Sequence, residues 1–423
     1  MPLPPLSTET WARVFKLHED WGTYHDFCAN SLVARAFRPL AQKHVWSRIK
    51  LGFLEPKEDG QCAYDARTQR LIDRLTDNQH LAAYVVDVEV GEWDRHGEDG
   101  DFAVWLPAET LFRELFALLP AASRWHLAPN LDSQYPALYR GFFAAEPPAD
   151  YLYVGGWTRE VQQHLAKLSK LQYFSVFWGL TDFTEVDESP VPANPTPLQT
   201  LHFGKHQGGD EYALFVSIAA ASHASLRTLS SHWRSFCDPA IYSYLHNFTG
   251  LRVLSLSLAT NEQLLGLVPA LPALTHLYTL ALYIWPNAGF PSLSSTTALG
   301  RALPPSLVHL CLPWSYSCVD DYQEDIPVLP ALLSSLPLHP LSSNSSSIVA
   351  TSAGVSPSGL SSSPSPYLHT RTVCCGQWRT RPRRGREDEP EVEMPAEQAA
   401  AGWVLHKRRN GQCTWASMSV EFN

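Results

Sequence analysis

Six short segments between residues 171 and 312 repeat one apolar rhythm, and this repetition constrains the chain more than any other feature. They are Leu171-Gln172-Tyr173-Phe174-Ser175-Val176, Leu198-Gln199-Thr200-Leu201-His202-Phe203, Leu226-Arg227-Thr228-Leu229-Ser230-Ser231, Leu251-Arg252-Val253-Leu254-Ser255-Leu256, Leu277-Tyr278-Thr279-Leu280-Ala281-Leu282 and Leu307-Val308-His309-Leu310-Cys311-Leu312. Successive first leucines are 27, 28, 25, 26 and 30 residues apart. On a short strand the fourth and sixth positions point one way and the third and fifth the other. A unit of this length cannot bury its own apolar face, so such units must stack, each supplying the wall of the next.

The L-x-x-L-x-L pattern and its spacing resemble leucine-rich repeats, most clearly over residues 171–313. The expected fold class is α/β: a short N-terminal helical module, a leucine-rich-repeat solenoid over residues 52–340, and a disordered tail over 341–423. The resemblance departs from the family at the ninth position, where Asn or Cys normally bonds the loop backbone. Here that position holds Gly179, His206, Arg234, Ala259, Trp285 and Ser315, so the turns are expected to be held in another way or to be irregular.

Upstream of the clear repeats, Tyr84 to Val90 alternates as a strand, with Val86, Val88 and Val90 expected on one face and Asp87 and Glu89 on the other. A helix is expected over Leu111 to Leu119, ended by Pro120, and a short strand through Trp125-His126-Leu127. Residues 129–148 mix proline with aromatics and carry no clear periodicity. From Leu341 to Pro366 serine dominates, a composition that buries too little apolar surface to offset the entropy of ordering. Basic and acidic blocks follow, from Arg379 to Arg386 and from Glu387 to Glu393.

At the N-terminus, Leu6, Trp11, Val14 and Phe15 form one apolar stripe at helical spacing, and Leu32, Val33, Phe37 and Leu40 a second. A unit of residues 1–51 is too small for a good core of its own. These two stripes resemble the degenerate F-box of fungal proteins, whose second helix often reads Leu-Val-x-Arg-x-Phe-x-Pro-Leu-Ala, as Leu32 to Ala41 does here. Ser7 stands where that family has proline, and Thr10 where it has an apolar residue. The resemblance implies that the eight stripe residues dock a Skp-type adaptor and through it a cullin. The chain would then be the substrate-recognition subunit of a Skp-cullin-F-box ubiquitin ligase. The alternative is a leucine-rich-repeat scaffold without a ligase role, its N-terminal helices capping the solenoid.

If the repeats recognise a protein substrate, the outward positions supply the contacts. The expected set is Tyr173, Trp178, His202, His232, Trp233, Tyr283, Trp285, His309 and Trp314. Trp178, Trp233 and Trp314 each fall seven residues after the first leucine of their repeat, and Trp285 eight after. Such a row of indoles could anchor a partner or plug the loops that lack an Asn ladder, and the second reading is favoured. No catalytic residue, metal site or cofactor is expected. The sequence has no G-x-S-x-G, H-E-x-x-H, P-loop or G-x-G-x-x-G motif. Its eight cysteines include no C-x-x-C pair and are expected as reduced thiols. The formal net charge of −10 argues against broad nucleic-acid binding. The start lacks a signal-peptide pattern, no run of about 18 apolar residues appears, and a cytoplasmic or nuclear location without membrane contact is expected.

Overall fold

The computed structural model describes residues 38–54, 56–91, 104–127, 136–155, 161, 164–176, 196–203, 211–231, 239–258, 260–284, 291–316, 328–337, 371–379, 395–400 and 403–408. The chain divides into two compact units, Met1–Pro192 and Ala193–Asn423. Each is a mixed α/β body built on parallel strands in sequential order.

In the first unit the parallel strands are β1 (Arg48–Gly52), β3 (Asp87–Gly91), β5 (Arg124–Leu127), β6 (Tyr151–Val154) and β7 (Tyr173–Val176). A separate antiparallel pair joins β2 (Gln61–Cys62) to β4 (Leu106–Pro107). The second unit carries β8 (Thr200–Phe203), β9 (Thr228–Ser231), β10 (Val253–Leu258), β11 (Thr279–Ile284), β12 (His309–Tyr316), β13 (Arg371–Arg379) and β14 (Trp403–Arg408). Parallel neighbours need a crossover between them, and helices supply it. Among these are α2 (Ala66–Asp77), α3 (Ala108–Leu118), α4 (Pro136–Ala144), α5 (Glu211–Ala219) and α6 (Asn261–Leu267), whereas α1 (Arg38–Ser47) precedes β1. Local chemistry starts two of them: the Asp65 carboxylate accepts the Thr68 N–H at 2.6 Å, and Thr260 with Gln263 forms a reciprocal capping box.

Every strand of the six sequence repeats begins two residues after its first leucine, at Tyr173, Thr200, Thr228, Val253, Thr279 and His309. Those leucines, together with the fourth position of every repeat, are buried. The same geometry extends upstream, where Val85, Ala122 and Ala149 occupy the first-leucine position two residues before β3, β5 and β6 and are buried. These repeats were hard to see because a small or β-branched residue replaces leucine at the mark that defines them.

A recurring device joins seven of the described repeats to the one before. Two consecutive backbone N–H groups at the start of a strand donate to one carbonyl of the preceding repeat. Ser123 and Arg124 donate to Val86 O, Asp150 and Tyr151 to Ser123 O, and Gln172 and Tyr173 to Asp150 O. In the second unit Arg227 and Thr228 donate to Gln199 O, Arg252 and Val253 to Arg227 O, Tyr278 and Thr279 to Arg252 O, and Val308 and His309 to Tyr278 O. Side chains add to these joints. Ser222 Oγ accepts the Leu198 N–H at 3.0 Å, Ser225 Oγ donates to Leu198 O at 2.8 Å, and Ser306 Oγ donates to Leu277 O at 2.9 Å. Within the third repeat, Ser231 stands where an apolar residue is expected, and its buried hydroxyl accepts the Ser257 N–H at 2.9 Å.

The inward faces pack on the helices. In the first unit Trp125 meets Phe116 of α3 at 4.9 Å and Phe142 of α4 at 5.6 Å between ring centroids, both edge-to-face. In the second, Phe215 of α5 lies 5.7 Å from Phe203 and 6.0 Å from Phe248.

Several expectations need adjusting. The upstream strand begins at Asp87, so Val86 lies outside it, 37% exposed, while Val88 and Val90 are buried as expected. Residues 136–144, which carried no readable period, form α4. The expected disordered tail contains β13, β14 and the short helix Ala396–Ala400, with β13 paired to β12 over eight register positions from His309↔Thr372 to Tyr316↔Arg379. The Ser-rich stretch of that tail lies outside the described residues. The boundary set at residue 51 falls inside β1, whose Ile49 and Leu51 are buried.

At Gly141, α4 packs closely against the start of α3. A Cβ there would stand 2.4 Å from Ala108 Cβ and 2.6 Å from its backbone carbon, so the helices would have to separate. Gly141→Ala is expected to destabilise the protein by about 1–3 kcal/mol, read as a lower urea midpoint with an unchanged slope.

Candidate functional site

In the first unit, register assembles the outward positions of five strands into two rows. One runs Arg48↔Asp87↔Arg124↔Tyr151↔Tyr173, and the other Lys50↔Glu89↔His126↔Tyr153↔Ser175. Side-chain alternation makes the inward residues of the same strands apolar: Val88, Trp125, Leu152 and Phe174 in one layer, Val90, Leu127, Val154 and Val176 in the next. The outward face is therefore polar by construction. It grades from alternating charge on β1 and β3 to aromatic rings on β6 and β7.

Asp87 is the centre of the charged end. Arg48 Nη2 lies 3.1 Å from its Oδ2, and His126 Nε2 lies 3.0 Å from its Oδ1. The His126 contact is close but off-axis, since neither atom makes a hydrogen bond of good geometry. We therefore read it as electrostatic, strongest when the imidazole is protonated. Burial alone would raise the Asp87 carboxyl, but His126, then Arg48 and Arg124, outweigh it and hold it below the usual carboxylate range. Beside it, Lys50 and Glu89 pair at 2.8 Å in a more exposed setting, where such a contact adds little stability.

The aromatic end is a platform. Tyr151 and Tyr173 stack with ring centroids 4.0 Å apart and planes 16° from parallel. The Arg124 guanidinium lies 4.6 Å over the Tyr151 ring, and His126 stands 4.9 Å from Tyr151 and 5.8 Å from Tyr153. Burial pushes up the phenol of Tyr151, with Tyr173 and Arg124 opposing it. Burial also pushes up Tyr173, with Tyr151 adding to the effect, and takes Tyr153 up to about 12. All three phenols thus stay neutral at physiological pH, with the Tyr173 hydroxyl hydrogen-bonded to that of Tyr151.

Over β8 to β12 the second unit presents a less charged face. Its rows include Thr200↔Thr228↔Val253↔Thr279↔His309 and, over β8 to β10, His202↔Ser230↔Ser255. His202 Nδ1 shares a hydrogen bond with Ser230 Oγ. The Tyr278 and His309 rings meet edge-to-face at 5.0 Å. Although part of its surface is open, His202 has neighbours close on most sides, and burial pushes its imidazole down to about 4.

Of the expected substrate-contact residues, Tyr173, His202, Tyr283 and His309 stand at outward register positions, Tyr173 in the first unit and the others in the second. Trp178, His232, Trp233 and Trp285 lie outside the described residues, and Trp314 belongs to β12 by its backbone, paired with Ile284. Of the adaptor-contact set, Leu6, Trp11, Val14, Phe15, Leu32, Val33 and Phe37 lie outside the described residues, and Leu40 falls within α1. Sequence reasoning missed Arg48, Asp87, Arg124, His126, Tyr151 and Tyr153. The signal was present as alternation in Arg124-Trp125-His126-Leu127 and Tyr151-Leu152-Tyr153-Val154, but without the first-leucine mark nothing aligned the two segments. Among the described residues no group of three or more His, Cys, Asp or Glu is placed to hold a metal ion. Burial, with Asp59 adding, pushes the Cys62 thiol up to about 11, which removes it from nucleophilic roles near neutral pH. No described helix is long and apolar enough to cross a membrane.

No family model matches the sequence, and no curated protein is significantly similar to it. The leucine-rich repeat-containing protein LegL7 from Legionella pneumophila is similar among solved structures, with 16% identity over 68% of this chain and 97% of that one and a TM-score of 0.36. The repeat architecture described above rests on the strands, registers and hydrogen bonds of this chain.

Because the folded His202 takes up a proton only near pH 4 while an unfolded histidine does so near 6.5, the unfolded chain binds the proton first as pH falls. The stability that depends on neutral His202 is complete above the unfolded value and is lost as pH drops toward 4. Urea denaturation at pH 7.5 and pH 5 should show a loss to which His202 contributes about 2 kcal/mol, and His202→Gln should shrink the difference between the two pH values by that amount.

Proposed function

We propose that this chain is a non-catalytic protein-binding receptor, specifically the substrate-recognition subunit of a Skp-cullin-F-box ubiquitin ligase. The observation that carries the receptor reading is the pair of outward rows in the first unit, where rings and charges share a solvent-facing sheet surface above an apolar core. Tyrosine and arginine in such a setting make efficient interface anchors, since they bring large contact area with little conformational freedom to lose. The ligase role rests on the N-terminal resemblance. Leu6, Trp11, Val14, Phe15, Leu32, Val33, Phe37 and Leu40 would dock the Skp adaptor, and the repeats would hold the substrate so that ubiquitin transfer elsewhere in the assembly becomes effectively intramolecular.

One observation favours the scaffold alternative. Helix α1 runs directly into β1, the Ser47 carbonyl accepts the Val86 N–H at 2.9 Å, and Ile49 and Leu51 are buried. The end of the N-terminal segment is thus part of the first unit's sheet, as a solenoid cap would be.

Co-precipitation of the full chain with a purified Skp adaptor separates the two. The ligase reading expects capture that is lost when Phe15 and Phe37 are both changed to Asp, with the thermal unfolding of the repeats unchanged. An intact protein that captures no adaptor leaves the scaffold reading.

A further inference from the structure

Among the described outward positions of β1, β3, β5, β6 and β7, charge does not cancel. Arg48, Lys50 and Arg124 supply three cations against the carboxylates of Asp87 and Glu89, an excess of one positive charge in a chain whose net charge is −10. Arg48 and Lys50 hold direct partners at 3.1 Å and 2.8 Å. Arg124 makes no such ion pair among the described residues, and its Nε is buried without a hydrogen-bond partner. A buried guanidinium N–H left unmatched is costly. Here it stands at the junction between the charged strands and the Tyr151–Tyr173 platform.

We propose that Arg124, Tyr151, Tyr153 and Tyr173 form a recognition site for one acidic side chain, Asp or Glu, of an extended protein segment laid along the sheet face. This site deepens the receptor reading and depends on it. The Arg124 fork meets the carboxylate, the Tyr151 phenol donates to one of its remaining lone pairs, and the flat stacked rings take the adjoining backbone or apolar neighbour. Asp87 shapes the preference: it holds Arg48, so only one cation remains for the ligand. A single carboxylate neutralises that excess, whereas a phosphate carrying nearly two charges would leave one unmatched beside Asp87. The site therefore favours a carboxylate over a phosphorylated residue.

The test is selection of a displayed library of random linear dodecapeptides on the full-length protein, followed by affinity measurement of the selected peptides by fluorescence anisotropy. The expected result is a set of peptides sharing an acidic position. Asp→Asn or Glu→Gln at that position should weaken binding about tenfold or more, and replacement by phosphoserine should not restore it. On the protein, Arg124→Gln should cause a loss of similar size and Arg124→Lys a smaller one, since charge is kept and the fork is lost. Tyr151→Phe, which keeps the platform and removes one donor, should weaken binding by a few-fold. Unchanged thermal unfolding of the lysine and phenylalanine variants separates recognition from folding. Selected peptides without an acidic position, or with affinities indifferent to Arg124→Gln, overturn the site while leaving the receptor reading in place. A phosphoserine peptide that binds more tightly overturns the carboxylate assignment. A library that yields no binder to either unit overturns the receptor reading and this site together.

Discussion

The architecture depends on one repeated hydrogen-bond arrangement, the two successive N–H groups at the start of a strand that converge on a single carbonyl of the repeat before it. Each N–H pair fixes where the next strand begins, and side-chain alternation then leaves no freedom in which residues face inward. A slip of one residue would drive Arg124 and His126 into the core and expose Trp125 and Leu127. Because the arrangement uses backbone alone, it tolerates wide variation in the side chains around it. The structure can therefore place Val85, Ala122 or Ala149 where the clear repeats place leucine and keep the register unchanged.

That economy explains the polar face. In a stack of parallel strands every outward residue lies beside its register partner one strand away, so chemistry distributed over more than a hundred residues of sequence becomes a continuous row. Arg48 and Tyr173 are distant in the chain, yet they are the two ends of one row. Energetically the row is self-limiting: Asp87 can hold Arg48 close while it also feels His126 and Arg124, so the charged end is locally neutralised. What remains is the combination of one under-satisfied guanidinium and neutral stacked phenols. The receptor proposed above would use such a surface to bind by geometry and by a single charge.

The second unit uses the same framework differently. Its outward positions are largely hydroxyls and small residues, with His202 and Ser230 hydrogen-bonded within the row and Tyr278 against His309. Serine hydroxyls before the strands and one in the core bond backbone groups of neighbouring repeats.

The sequence by itself determined the six leucine-marked repeats, their inward positions and the α/β class, because a period-two strand repeated at 25 to 30 residues has one economical way to bury its apolar side. It also placed Tyr173, His202, Tyr283 and His309 on outward positions through the same alternation. Only the tertiary structure decided that Val85, Ala122 and Ala149 open further repeats, that residues 371–379 and 403–408 pair as strands, and that Arg48, Asp87, Arg124, Tyr151 and Tyr173 stand in one row. The physical reason is that register is set by backbone hydrogen bonds between repeats, which carry no residue-type signature. A row assembled across strands is thus written in the pairing of segments rather than in any one of them.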